Sequence, residues 1–177
     1  MTLYQAEMTV LKLMDEYSDS MPDPELMARM PELFDMVQKQ LAQIQRIIRT
    51  ASISAESAEY PLPADCAKVF RVWEGGELCR KWRQKGKTLL FRKAEARELE
   101  YFATPQTITE DTSDTYEFEI SEEAAACMPP FVAGSLLAAD MVQDGRQLMS
   151  IYSTMVAALD TGLPRSDEGG VKQTLWR

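Results

Sequence analysis

Apolar residues recur at Leu3, Ala6, Val10, Leu13 and Tyr17, in steps of three and four, which predicts a helix over 2–17 with one apolar seam. Ser18 to Asp23, with Pro22, breaks that pattern, and Asp23-Pro24-Glu25 restarts it with a capping aspartate and a proline in the first turn. Because proline lacks a backbone N–H, Pro31 is expected to divide the next stretch into a short helix over 24–29 and a long one over 30–52. Leu33, Val37, Leu41, Ile44 and Ile48 line the apolar face of the long helix, with Phe34, Met36 and Ile47 widening it. Gln38, Lys39, Gln43, Gln45, Arg46 and Arg49 form its wet side.

The period then changes from helix-like to strand-like. Tyr60-Pro61-Leu62-Pro63-Ala64-Asp65-Cys66 is an extended entry, since its two prolines forbid a helix. Lys68 to Trp73 alternates across two faces and turns at Glu74-Gly75-Gly76-Glu77. Leu78 to Trp82 and Thr88 to Phe91 are expected to form a hairpin across Gln84-Lys85-Gly86-Lys87. Leu99 to Ala103 stops at Thr104-Pro105, and Ala94 to Glu98 also suits a helical turn. After a polar loop, Tyr116 to Ile120 alternates apolar and acidic, as a half-exposed closing strand does.

Ser121, followed by Glu122 and Glu123, is a good helix cap with acid in the first turn. A further helix is expected from Pro129-Pro130 to Gln143. Its Ala133, Gly134, Ser135, Ala138 and Ala139 permit close approach and place it at the centre of a bundle. Asp144-Gly145 reads as a break before a last helix over 146–159, stopped at Thr161-Gly162-Leu163-Pro164. The expected fold is therefore mainly α: an antiparallel bundle of about four helices, with a small β-strand or hairpin insert over about 60–120 between the second and third. Residues 1–163 form one domain, and 164–177 an extended C-terminal arm.

Composition narrows the chemistry. The 177 residues suffice for one core, and the 45% hydrophobic content is ordinary for a folded chain. The longest apolar region, Met128 to Met141, is too short and too interrupted to span a bilayer, and the start lacks the pattern of a signal peptide, so a cytoplasmic origin is expected. Cys66, Cys79 and Cys127 show no disulfide or zinc spacing. The sequence has no histidine, which removes Ser-His-Asp and Cys-His catalysis and most transition-metal sites. Gly75-Gly76 and Gly169-Gly170 lack a following G-K-S or G-K-T, so no phosphate loop is read. Asp111 and Asp114 have neither EF-hand spacing nor a nucleophile beside them. Neither a catalytic residue, a metal site nor a cofactor is expected.

Charge is unevenly spread. Lys68, Arg71, Arg80, Lys81, Arg83, Lys85, Lys87, Arg92, Lys93 and Arg97 oppose only Glu74, Glu77 and Glu95, a local +7 in a chain of net −9, which leaves −16 elsewhere. Such asymmetry suits nucleic-acid contact, or a basic face meeting the acidic face of a neighbouring copy; a solvated hairpin whose lysines blunt an exposed edge is the plainer alternative. At the other end, Leu175 and Trp176, followed by Arg177, form an apolar tip on a polar tail. They suit an anchor in a neighbouring subunit, or a tail folded back on its own domain.

The spaced residues Tyr60-Pro61-Leu62-Pro63-Ala64-Asp65-Cys66, Val69 to Trp73, Leu99-Glu100-Tyr101-Phe102, Pro105, Asp111 and Asp114, with an alanine-rich helix after Ile120, resemble the head–tail connector, or adaptor, proteins of tailed bacteriophages. The resemblance spans roughly 60–159. It implies a structural virion protein without turnover, made in the host cytoplasm and placed in the neck of the particle. Its partners would be copies of itself in a ring, commonly dodecameric, the portal protein, and a tail, stopper or nozzle protein. Double-stranded DNA would pass through the lumen without sequence-specific binding, and no membrane is involved. Arg80, Lys81, Arg83, Lys85, Lys87, Arg92, Lys93, Leu175, Trp176 and Arg177 are the expected assembly or partner interface. The competing expectation is a nucleic-acid-binding regulatory module that uses the basic 68–97 hairpin with Trp73, Trp82 and Phe91 interleaved.

Overall fold

The computed structural model describes residues 1–14 and 23–159. They fall into two compact units, Met1–Gln45 with Pro105–Thr161, and Arg46–Thr104. The first holds all the helices and the second all the strands.

In the helical unit, α1 (Leu3–Leu13) starts on a reciprocal cap: the Gln5 N–H donates to Thr2 Oγ1, and the Thr2 N–H donates to Gln5 Oε1. Its buried face is Leu3, Ala6, Glu7, Val10 and Leu11, rotated from the expected seam so that Leu13 is exposed; Tyr17 lies outside the described residues. Helix α2 (Pro24–Gln45) runs unbroken through Pro31, contrary to the expected division. Pro31 removes one ladder bond, a cost of about 3 kcal/mol or more. Burial of Met30, Pro31, Phe34, Val37 and Leu41 along the same face offsets it. Ser121 caps the short α3 (Glu122–Ala125) through a bond from Ala124 N–H.

The next helix, α4 (Met128–Leu137), ends six residues before Gln143. Helix α5 (Val142–Ala158) begins there and carries Gly145 inside its first turn instead of breaking at it. Eight of the ten α4 residues are buried, so this helix is the hub of the unit. Gly134 and Gly145 meet where α4 crosses α5: a Cβ on either would lie 3.0 Å from the other's carbonyl oxygen. A side chain on either would force the facing backbone to give way by a few tenths of an ångström.

Arg46 ends the helical path. Its φ of 54° is left-handed, the usual way for a chain to leave a helix. The chain then enters β1 (Ile48–Ile53), where the long helix had been expected to continue to 52. Ile44, Ile47 and Ile48 match helical spacing, but β-branched Ile48, Thr50 and Ile53 suit a pleated surface better.

The strand unit contains β1, β2 (Glu59–Pro61), β3 (Cys66–Glu74), β4 (Glu77–Leu78), β5 (Trp82–Lys85), β6 (Thr88–Phe91) and β7 (Arg97–Ala103). They form two antiparallel sheets, ordered β1-β7-β3-β4 and β2-β6-β5. Ile53, Val69, Val72, Leu89, Phe91, Leu99, Tyr101 and Ala103 are their shared core.

Two antiparallel sheets overturn the expectation of a mainly α antiparallel bundle of about four helices; the fold is mixed. Several of these strands are two to four residues long, too short for periodicity to announce them. The β5–β6 hairpin starts at Trp82 and not at Leu78, and Ala94 to Ala96 is irregular, neither helix nor strand. Tyr116 to Ile120 forms no strand; Glu117 makes a single bridge to Thr2, while Phe118 packs into the helical core.

Candidate functional site

The basic segment is built on two tight turns. Trp73 pairs with Leu78 and Glu74 with Glu77, leaving Gly75 and Gly76 as a two-residue loop with φ of 59° and 85°. Positive φ at both positions is the type I′ pattern that glycine adopts without strain. Gly86 and Lys87 join β5 to β6, and only Gly86 has positive φ, the type II′ pattern. Gln84 Nε2 braces that loop by donating to the Gly86 carbonyl at 2.9 Å.

Trp82 and Phe91 are cross-strand partners turned toward the core, so Phe91 is buried and Trp82 half-buried. Trp82 Nε1 is buried with no hydrogen-bond partner. Arg83 and Lys85 point the other way. Arg80, Lys81, Arg83, Lys85, Lys87, Arg92 and Lys93 are all exposed, and among the described residues Arg80, Lys81, Arg83, Lys85, Lys87 and Lys93 make no ion pair. The structure thus gathers the predicted cations on one hairpin and its flanks. Leu175, Trp176 and Arg177 lie outside the described residues.

Arg97 behaves differently from its basic neighbours. It is buried, its Nε donates to Glu74 Oε2 at 2.6 Å, and its Nη2 lies 3.3 Å from Glu95 Oε2. Nη1 donates to the carbonyls of Lys93 and Glu95, and the guanidinium sits 4.3 Å from the Phe91 ring centre. The hydrogen bond from Arg97, and then that with Glu95, hold the Glu74 carboxyl below its ordinary range. Arg97 is a clamp that shapes the 92–96 loop and is not available to a partner. It also lines a shallow open depression with Trp73, Gly75, Gly76, Ala96, Glu98 and Glu100.

A second polar node gathers the entry segment. Arg49 Nη1 pairs with Asp65 Oδ2, the Tyr101 hydroxyl donates to the same carboxylate at 3.2 Å, and the Asp65 carbonyl accepts from Thr104 N–H. Burial first, and then the Asp65 charge, push the Tyr101 hydroxyl pKa up. On the other face of the four-stranded sheet, Phe70 and Phe102 lie 4.9 Å apart, with Arg71 over one ring and Arg46 over the other.

In the helical unit, Asp111 and Asp114 are exposed, and no group of acids or thiols suited to a metal ion occurs among the described residues. The loop that carries them is held by Gln38, which the periodicity had put on the wet side. Gln38 is fully buried: its Oε1 accepts from Tyr116 hydroxyl and Glu119 N–H, and its Nε2 donates to the Gln106 carbonyl. Glu7, another polar residue in that core, has its carboxyl pushed up to about 7 by burial and then by the Asp114 charge. Burial also pushes the Cys66 and Cys127 thiols up, away from thiolate reactivity.

Neither Gln38 nor Glu7 carries a motif that could have singled it out; each occupies an apolar helical face that only packing defines. No protein-family model matches this chain, and no curated protein matches it.

Proposed function

We propose that this chain is a structural connector of a tailed-phage particle, whose copies form a ring between the portal of the head and the tail. The observation that carries this reading is the opposed charge of the two units. Residues 46–104 hold twelve Lys and Arg against eight Asp and Glu, whereas 1–45 with 105–161 hold four against eighteen. Arg80, Lys81, Arg83, Lys85, Lys87 and Lys93, exposed and without an ion pair among the described residues, suit docking to acidic surfaces on the portal or on neighbouring copies. An acidic helical surface suits a DNA channel, because neutralising phosphates is what creates affinity for DNA. The residues that carry the family resemblance are also joined physically, Asp65 of the entry segment to Tyr101 of β7.

A nucleic-acid-binding module is the second reading, favoured by the same exposed cations. Against it, Phe91 is buried and Trp82 half-buried against the core, which leaves these two rings little surface for base stacking.

Native mass spectrometry of the chain alone, and mixed with a portal ring, tests the proposal. The expected result is a closed ring of copies added to the portal, and loss of that addition in a chain ending at Leu163. A chain that ignores the portal yet shifts duplex DNA at physiological salt, and stops doing so when Arg80, Lys81, Arg83 and Lys85 become Ser, overturns it in favour of the second reading.

A further inference from the structure

The two sheets have four edges, and three of them are blunted. Strand β4 is two residues long, β2 is three residues long and includes Pro61, and β5 carries exposed Arg83 and Lys85. Short length, proline and charge are the usual devices against pairing with another chain. Strand β1 has none of them. It is six residues long, pairs with β7 without a register shift, and contains neither proline nor lysine; its one cation, Arg49, is engaged with Asp65.

The ladder shows which groups this edge presents. Ala103 N–H donates to the Ile47 carbonyl, so in the antiparallel register the backbone groups of Arg49, Ala51 and Ile53 face β7, and those of Ile48, Thr50 and Ser52 face away. Among the described residues, 48–53 make no backbone hydrogen bond beyond the β7 ladder. The side chains of Ile48, Thr50 and Ser52 are exposed, Ile48 by 46%.

We infer that β1 is a strand-addition site, and that its occupant is the C-terminal segment Val171-Lys172-Gln173-Thr174-Leu175-Trp176 of a second copy. The chain continues for 18 residues beyond Leu159, the last described residue. Residues 171–176 match β1 in length, contain neither Gly nor Pro, and alternate Val171, Gln173 and Leu175 with Lys172, Thr174 and Trp176. Residues 160–170 before them reach on the order of 35 Å when extended, enough to cross to a neighbour. Backbone bonds to Ile48, Thr50 and Ser52 supply affinity, and Val171 and Leu175 extend the apolar inner face of Ala51 and Ile53. The choice of a second copy as partner rests on the ring reading; the open edge does not.

Hydrogen exchange of the full chain, at low and high protein concentration and on the portal ring, tests this, with native mass recorded on the same samples. In the associated protein, the amides of Ile48, Thr50, Ser52 and 171–176 are expected to slow at least tenfold together. Thr50→Pro, which removes an outward N–H, abolishes both the slowing and the association, while protection of Arg49, Ala51 and Ile53 reports an intact sheet. Ser52→Lys, which leaves the backbone unchanged, weakens association in the same direction. Outward amides that stay fast in every sample, slowing that is independent of concentration and portal as for a segment of the same copy, or association that survives Thr50→Pro each overturn the inference. A chain that self-associates through β1 but ignores the portal loses the connector reading alone, and one that adds to the portal with fast outward amides loses this inference alone.

Discussion

The helical and strand units solve the same problem with different means. Among the described residues the helical unit has a broad apolar core of nineteen buried residues, from Leu3 to Leu148, and leaves acids such as Glu25, Glu32, Asp111, Asp114, Glu122 and Glu123 exposed. The strand unit has eight core residues and supplements them with two charged clamps, Arg97 with Glu74 and Glu95, and Asp65 with Arg49 and Tyr101. A small core leaves part of the structure to polar side chains. The basic segment therefore contains two kinds of cation: Arg97 belongs to the fold, while Arg80, Lys81, Arg83, Lys85, Lys87 and Lys93 are exposed and make no ion pair among the described residues.

The sharpest break in this comparison is steric. Gly145→Val puts a branched side chain against the Gly134 carbonyl, and overpacking of this kind costs about 3 kcal/mol. Denaturation followed by exchange should show the helical amides losing that protection, with β3 and β7 losing little if the units unfold separately.

Arg97→Ala is the matching break in the strand unit. Glu74 and Glu95 are partly exposed and regain water, so the loss is set at about 2 kcal/mol, below the range for a fully buried pair. The same denaturation experiment should locate this loss in β6 and β7, and Arg97→Lys should restore only part of it, since lysine lacks the planar fork.

A third prediction separates the units by pH. Between the ordinary carboxyl value of 4.5 and about 7, folded Glu7 keeps a proton that unfolded Glu7 releases. Stability from this group is therefore present below 4.5, is lost as pH rises through that window, and is gone above about 7. Glu7→Gln should remove the decline and stabilise the helical unit by about 2 kcal/mol at pH 8, measured as the difference between denaturation midpoints at pH 5 and pH 8.

The smallest effect on stability should come from the exposed cations. Changing Arg80, Lys81, Arg83 and Lys85 to Ser should move the unfolding free energy by less than roughly 0.5 kcal/mol per site. Binding to an acidic partner should nevertheless weaken, and its salt dependence flatten. A comparable loss of stability would place these cations with Arg97 in the fold.

Much of the helical unit was legible because its signals are local. The Thr2 start, the Ser121 cap with Glu122 and Glu123, and the apolar run at 33, 37 and 41 each depend on residues three or four apart. Its errors arose where burial overrode local preference, as at Pro31 and Gln38, or where a glycine read as a break served instead as a contact, as at Gly145. In the strand unit, the Gly75-Gly76 and Gly86 turns were visible, since few other residues adopt positive φ at low cost. The sheets that these turns join were not visible as such. Pairing β1 with β7 brings Ile48 to Phe102 across more than fifty residues, and no periodicity within either strand specifies its partner.

For the candidate site, the chain itself determined that the charge is segregated, that cations cluster over 80–93 and that histidine chemistry is absent, because composition and order along the chain are properties of sequence. Tertiary structure decided which of those cations are exposed, that Arg97 is consumed internally, that Trp82 and Phe91 turn inward, and that β1 is an edge with no further strand beside it among the described residues. These depend on which face of a strand is covered and which strand lies beside it. Both are set by contacts between residues far apart in the chain, where the free energy of burial outweighs any local preference.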